Sequence, residues 1–149
     1  MAGNQAPIFS RVAAFGYSPN GVQGTATSGS YGLVTDYTGT QTNNAVIFTA
    51  DATNGGFVQR LRFKAAGTNA VGVARIYMNN GGASTVANNN YFYGELSLPA
   101  TTASTTVASV DIDYPINAAL PPSYKILVGI SASSALASGW LITAIAGAY

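Results

Sequence analysis

Apolar and polar residues alternate along most of the chain from about residue 30 onward. A period of two is typical of β-strands that bury one face. Stretches rich in Gly, Asn, Ser and Pro separate the alternating runs and favour turns, and no run has the period of an amphipathic helix. The pattern predicts eight strands, at residues 31–38, 44–50, 57–65, 70–78, 91–98, 105–113, 124–131 and 140–146.

The same alternation assigns side chains to faces. It places Val46 with Phe48 on one face of the second strand, and Phe57, Gln59, Leu61 and Phe63 on one face of the third. In the fifth strand it predicts Phe92, Leu96 and Leu98 inside and Tyr91, Tyr93 and Glu95 outside. Trp140 is expected in the core, and the prolines at 115, 121 and 122 are expected to interrupt the strands as a loop.

Many short strands with turn signals between them favour a sandwich or a barrel. We therefore predict an all-β protein, a single-domain antiparallel β-sandwich of jelly-roll-like type at residues 30–149. Residues 1–29 have little periodicity and are predicted to form an N-terminal arm. This arm is either poorly ordered or docks on a neighbouring subunit or partner through Phe9 and Phe15.

Composition narrows the classes of function. Six Lys and Arg against five Asp and Glu give a net charge of +1, and there is no Cys and no His. Disulfides, Cys or His metal ligation and Ser–His–Asp catalysis are therefore excluded. The near-zero charge argues against binding bulk nucleic acid, and no apolar run reaches the roughly 18 residues of a membrane span. We expect no cofactor and no enzymatic activity.

Basic residues are concentrated on one predicted strand. Arg60, Arg62 and Lys64 share a face, and a hairpin turn at residues 66–69 would bring Arg75 opposite Arg60. Like charges placed opposite each other are unfavourable, so this patch needs an anion. That anion could be Glu95, Asp111 or Asp113 of this chain, the same residues of a neighbouring subunit, or an acidic partner. The four cations are accordingly candidate partner-binding residues, or else a solvated face paired within the chain.

Two further groups of residues are candidates for chemistry. Asp111 and Asp113 are two apart on one strand, which is typical of solvated or partner-facing residues but is also compatible with a calcium site or a glycosidase-like acid pair. Asn43–Asn44 and Asn88–Asn90 could line a sugar site with Tyr91 and Tyr93, although ordinary loop chemistry accounts for them equally well.

The chain also resembles a known class of protein over roughly residues 55–149. The resemblance is carried by FVQRLRFKAAGTNAVGVARIYMNNG at 57–81, YFYGELSLPATT at 91–102, ALPPSYKILVGI at 119–130 and GWLITAIAGAY at 139–149. These runs look like those of small virion proteins of tailed bacteriophages, in particular capsid decoration (cement) proteins.

The resemblance implies a jelly-roll-like sandwich, often trimeric, without catalytic residues. It implies assembly in the host cytoplasm and binding to the major capsid protein lattice on the outer capsid surface. The absence of Cys agrees with a reducing compartment. The alternative is a carbohydrate-binding or structural β-sandwich module of a phage tail spike, fibre or baseplate.

Overall fold

The computed structural model describes residues 12–17, 37–40, 44–132 and 138–148. Within these ranges the chain forms eight strands and a single turn of 3₁₀-helix at Ala87–Asn89, and no helix there is long and apolar enough to cross a membrane. The strands are β1 (Val12–Tyr17), β2 (Ala45–Thr49), β3 (Gly56–Ala65), β4 (Gly72–Asn79), β5 (Asn90–Leu98), β6 (Asp111–Leu120), β7 (Lys125–Ala132) and β8 (Trp140–Ala148).

The strands form two four-stranded antiparallel sheets. Sheet A has the order β1-β8-β3-β6, and sheet B has the order β2-β7-β4-β5. The chain passes repeatedly from one sheet to the other, and β4 and β5 are the only consecutive described strands that pair with each other. This arrangement is a jelly roll. The predicted all-β fold, an antiparallel sandwich of about eight strands, is confirmed.

The core lies between the two sheets. Trp140 is fully buried there, as predicted, and sheet A also contributes Leu61 and Phe63 while sheet B contributes Ile76 and Ile126. Burying each large apolar side chain stabilises the fold by about 1.5–3 kcal/mol. The sandwich is therefore held mainly by apolar contacts between sheets.

Extra residues shift the register within several strands. Ile47 in β2, Gln59 in β3 and Tyr93 in β5 are each skipped by a partner strand. A bulge of this kind moves the residues beyond it to the opposite face. The predicted faces are consequently wrong in part: Val58 is buried and Gln59 exposed, Val46 is exposed, and Tyr93 packs against the core.

The connection between β3 and β4 crosses from sheet A to sheet B. Asn69, buried within it, accepts hydrogen bonds from the backbone N–H groups of Ser138 (3.2 Å) and Gly139 (2.7 Å). Its amide nitrogen donates to Gly139 O at 2.9 Å and to Thr101 Oγ1 at 3.2 Å. These long-range hydrogen bonds hold the connection in place between the two sheets. The predicted hairpin between β3 and β4 is therefore wrong, because the two strands lie in different sheets.

Several strand boundaries also differ from prediction. β6 runs through Pro115 rather than ending before it, because it is the edge strand of sheet A in the described structure, where a residue without an N–H is tolerated. Val12–Tyr17, within the predicted arm, pairs with β8 along its whole length. Tyr37 and Thr38 form a bend instead of the end of a strand, and residues 31–36 lie outside the described ranges.

Candidate partner-binding face

The outer face of sheet A carries charged residues on two of its four strands, β3 and β6. The bulge at Gln59 leaves Leu61 and Phe63 buried and turns the basic residues outward. Antiparallel pairing then sets Arg62 opposite Asp113 and Lys64 opposite Asp111. We call this surface the charged face, and it consists of Arg60, Arg62, Lys64, Asp111 and Asp113.

Ion pairs connect most of the charged face. Arg62 Nε lies 3.0 Å from Asp113 Oδ1, and its Nη2 donates a second hydrogen bond to Oδ2 at 3.3 Å. Arg60 Nε approaches Asp113 Oδ2 at 3.2 Å, and Arg62 Nε lies 3.5 Å from Asp111 Oδ1. Lys64 is exposed and forms no ion pair with a described carboxylate. Three cations and two carboxylates leave this face with a charge of +1.

The two-pronged hydrogen bond between Arg62 and Asp113 shifts the pKa of both groups. It lowers the pKa of the Asp113 carboxyl, assisted by the charges of Arg62 and Arg60. The same bond, with the charge of Asp111, raises the pKa of the Arg62 guanidinium. Both shifts favour the charged forms. A general acid of a glycosidase pair needs the opposite, a raised carboxyl pKa. Because the lowered pKa keeps Asp113 ionised, this residue is suited to holding the two arginines.

Arg75 does not belong to this surface. It lies on β4 in sheet B, opposite Glu95 of β5, and its Nε lies 3.4 Å from Glu95 Oε2. Its guanidinium carbon also lies 5.1 Å from the centre of the Tyr37 ring. The prediction that Arg60 and Arg75 face each other is therefore wrong, because the two strands belong to different sheets. The predicted anion sources, Glu95 and Asp113, are nevertheless the residues that pair with these cations.

The remaining predicted residues are distributed as follows. Phe9 lies outside the described residues, and Phe15 is part of β1, where it pairs with Ile145. Asp111 and Asp113 both face arginines. No group of three or more His, Cys, Asp or Glu side chains in the described ranges is placed to hold a metal ion.

The asparagine-rich segment that leads into β5, residues 88–90, forms a separate site. Together with Tyr91 it borders a cavity of about 450 Å³ that we call the amide cavity, lined by Met78, Asn80, Asn88, Asn89, Asn90, Tyr91 and Tyr124. Tyr93, predicted to join these residues, instead donates from its hydroxyl to Ile116 O at 3.1 Å. The prediction also missed Met78 and Tyr124, which come from β4 and from the turn before β7. Only the pairing of β4 with β7, where Met78 faces Ile126, brings them to the same end of sheet B.

Comparisons with known proteins give the following. No protein-family model matches the chain. No curated protein matches it either. It is similar to a chain in the structure of infectious bursal disease virus, Gt strain, at 17% sequence identity with a TM-score of 0.30. The match covers 92% of this chain, which spans about 30% of the length of the other.

Proposed function

We propose that the protein is a non-enzymatic structural component of a virion. In this proposal it is a decoration (cement) protein that sits on the outer capsid surface of a tailed bacteriophage and stabilises the head shell. The observation that carries the proposal is the strand order of the two sheets, because the jelly roll is the architecture of many viral capsid and lectin domains. The resemblance of residues 55–149 to phage virion proteins supports it further.

A fold alone does not determine function, so the proposal also names a contact surface. We assign capsid contact to the charged face, whose arginines and aspartates are already held in place by one another. Groups fixed before binding lose less conformational freedom when a partner arrives. Lys64 projects beside them without a described carboxylate partner and supplies the charge that an acidic patch on the capsid would pair with.

The proposal includes assembly as a homo-oligomer, a trimer. Several weak contacts made together bind far more strongly than one, because each later contact forms at a high effective concentration. A trimer would present three charged faces and three N-terminal segments to the major capsid protein lattice.

The first test combines solution mass with capsid binding. Light scattering of the purified chain is expected to give a trimer, and the protein should cosediment with undecorated capsids of the virus that encodes it. A monomer that stays in the supernatant at low salt would overturn the proposal.

Charge reversal tests the surface. Lys64→Glu should weaken cosedimentation and make the remaining binding less sensitive to salt, since one ion pair across the interface is lost. Lys125→Glu is the matched control, because it changes the net charge equally at a lysine on sheet B whose Nζ donates to Gly81 O at 3.3 Å. Equal effects of the two variants would show that only net charge matters and would remove the charged face from the proposal.

Truncation tests the N-terminal segment. The deletion must stop before Val12, because residues 12–17 pair with β8 and their removal would expose that strand. Deleting residues 1–11 should abolish cosedimentation while leaving the unfolding midpoint unchanged. Full binding by the truncated protein would exclude residues 1–11, including Phe9, from capsid contact.

A further inference from the structure

The amide cavity lies at the end of sheet B where β4 leads into β5. Its volume of about 450 Å³ is within the range of about 300–1,000 Å³ that is usual for small-molecule sites. None of the described residues that line it is charged, and its walls combine asparagine amides with two tyrosine rings and one methionine. A ligand matched to such walls is neutral, carries many hydroxyl or amide groups, and has at least one apolar face.

Hydrogen bonds fix one side of this cavity. Asn80 Nδ2 donates to Asn89 Oδ1 at 3.2 Å, and the backbone N–H of Asn80 donates to Asn89 O at 2.9 Å. Asn89 Nδ2 donates to Ala83 O at 3.0 Å, and Asn90 Nδ2 donates to Ser84 O at 2.7 Å. These amides close the loop between β4 and β5 into one shape. The cavity wall is therefore formed before any ligand arrives, which lowers the entropy lost on binding.

Other polar groups at the cavity are not used in this way. The amide of Asn88 and the hydroxyls of Tyr91 and Tyr124 form no hydrogen bond with the described part of the chain. One amide has two donor hydrogens and an acceptor oxygen, and each hydroxyl both donates and accepts. Together they offer a set of partners for adjacent hydroxyl groups. Asn80, Asn89 and Asn90 thus maintain the cavity wall, while Asn88 and the two tyrosines remain available for hydrogen bonds to a ligand.

Tyr91 gives the cavity an exposed aromatic surface. This residue is 69% exposed although it lies within β5. Aromatic rings combine a flat apolar face with a polar tip, and C–H groups pack favourably on such faces. A pyranose ring has the complementary form, since its C–H groups make one apolar face and its hydroxyls surround the edge.

From this arrangement we propose that the amide cavity is a binding site for a neutral saccharide. Tyr91 stacks on the sugar ring, and Asn88 with the tyrosine hydroxyls binds its hydroxyl groups. This activity is additional to capsid decoration and involves a different face of the protein, since the charged face belongs to sheet A. The isolated chain is therefore sufficient to test it, and the result is independent of capsid binding.

The test is saturation-transfer and chemical-shift NMR on the full chain. The probes are glucose, galactose, N-acetylglucosamine and rhamnose, with glucuronate and sialic acid as charged comparators. At least one neutral sugar is expected to bind with a millimolar Kd and to shift the resonances of Asn88 and Tyr91. The proposal is overturned if no neutral sugar binds at millimolar concentrations, if only the charged sugars bind, or if the shifts fall outside the amide cavity.

Variants separate the two parts of the site. Asn88→Ala should weaken binding about tenfold through lost hydrogen bonds. Tyr91→Ala should abolish detectable binding, whereas Tyr91→Phe, which keeps the ring, should retain most of it. Val107→Ala is the matched control, since Val107 is 70% exposed, close to the value for Tyr91, and lines no part of the cavity. If Tyr91→Ala binds as well as the control while remaining folded by circular dichroism, the assignment is wrong.

Discussion

The outer faces of the two sheets hold arginines in different surroundings. On sheet A, Arg62 and Asp113 form a two-pronged pair in which both side chains are more than 40% exposed. On sheet B, the Arg75 side chain is only 14% exposed and lies against both Glu95 and the ring of Tyr37. Water screens the first pair strongly and the second much less.

An additional layer on sheet B produces this difference. Tyr37 packs edge-to-face on Phe92 with ring centres 4.8 Å apart, and Phe92 packs in the same way on Tyr77 at 5.8 Å. We call Tyr37, Tyr77 and Phe92 the aromatic layer. Tyr77 is fully buried although it is not part of the core cluster between the sheets. Sheet B thus buries apolar groups on both sides, whereas the described outer face of sheet A presents charges to solvent.

The largest loss of stability should follow from removing the fully buried ring of the aromatic layer. Tyr77→Ala is expected to lower the free energy of unfolding by about 3–5 kcal/mol, as for other large aromatic side chains in a buried site. Urea denaturation monitored by circular dichroism measures it, with Val107→Ala as an exposed control. A loss below about 1 kcal/mol would mean that the layer contributes little and that the two outer faces are equivalent in stability.

A smaller loss of stability is expected from a substitution in the backbone next to the Tyr77 ring. Gly39 has φ +67°, and a Cβ there would lie 2.7 Å from Tyr77 Cδ1. Gly39→Ala should therefore cost about 1–3 kcal/mol, from the left-handed conformation and from displacement of the ring.

The double variant distinguishes these two causes. If the clash matters, Gly39→Ala should cost less when Tyr77 is already alanine, because the ring is absent. Full additivity in the urea measurements would assign the entire cost to backbone strain.

The next largest loss of stability is expected from substituting the arginine of sheet B. Arg75→Ala should cost about 1–2 kcal/mol, since it removes the ion pair with Glu95 and the contact with the Tyr37 ring. Much of this loss should persist in 1 M NaCl, because screening acts weakly on a partly buried group. Arg60→Ala is the matched change on sheet A. An equal and equally salt-sensitive loss in both variants would contradict the comparison.

The smallest effect is expected on the charged face, and it should depend on pH. Asp113→Asn should cost less than about 1 kcal/mol at neutral pH, the range of exposed ion pairs. Because folding lowers the pKa of Asp113, its contribution is present above the ordinary carboxyl pKa and is lost as the pH falls through the folded-state pKa. Unfolding midpoints of both proteins should therefore converge once the pH is below the lowered pKa of Asp113. A difference that persists at lower pH would show that Asp113 acts through something other than its charge.

The sequence predicted the strands better than their faces. A period of two is local and directly visible, so seven of the predicted runs overlap strands of the structure. A bulge adds one residue without any mark in the pattern, and Gln59 and Tyr93 each reverse the face of their neighbours in this way. Val12–Tyr17 was missed because its residues are all apolar, small or aromatic, so no polar position alternates with an apolar one.

The candidate sites depended on long-range pairing that no local pattern shows. The turn residues 66–69 have the composition of a hairpin, but Asn69 bonds to Gly139 and Thr101, which are distant in the chain. That single difference separates Arg75 from Arg60. By contrast, Asn88–Asn90 and Tyr91 were brought together correctly, because contiguous residues stay close in any fold.

Pro115 has a consequence for how copies of this chain can associate. In the described sheets it lies in the middle of β6, at the border of sheet A, and it cannot donate a backbone hydrogen bond. A second chain that tried to extend the sheet there would meet a missing donor and the charges of Asp111 and Asp113. Open-ended stacking of copies along this border is therefore disfavoured. Such a stop directs the association of copies to other surfaces and away from fibrils.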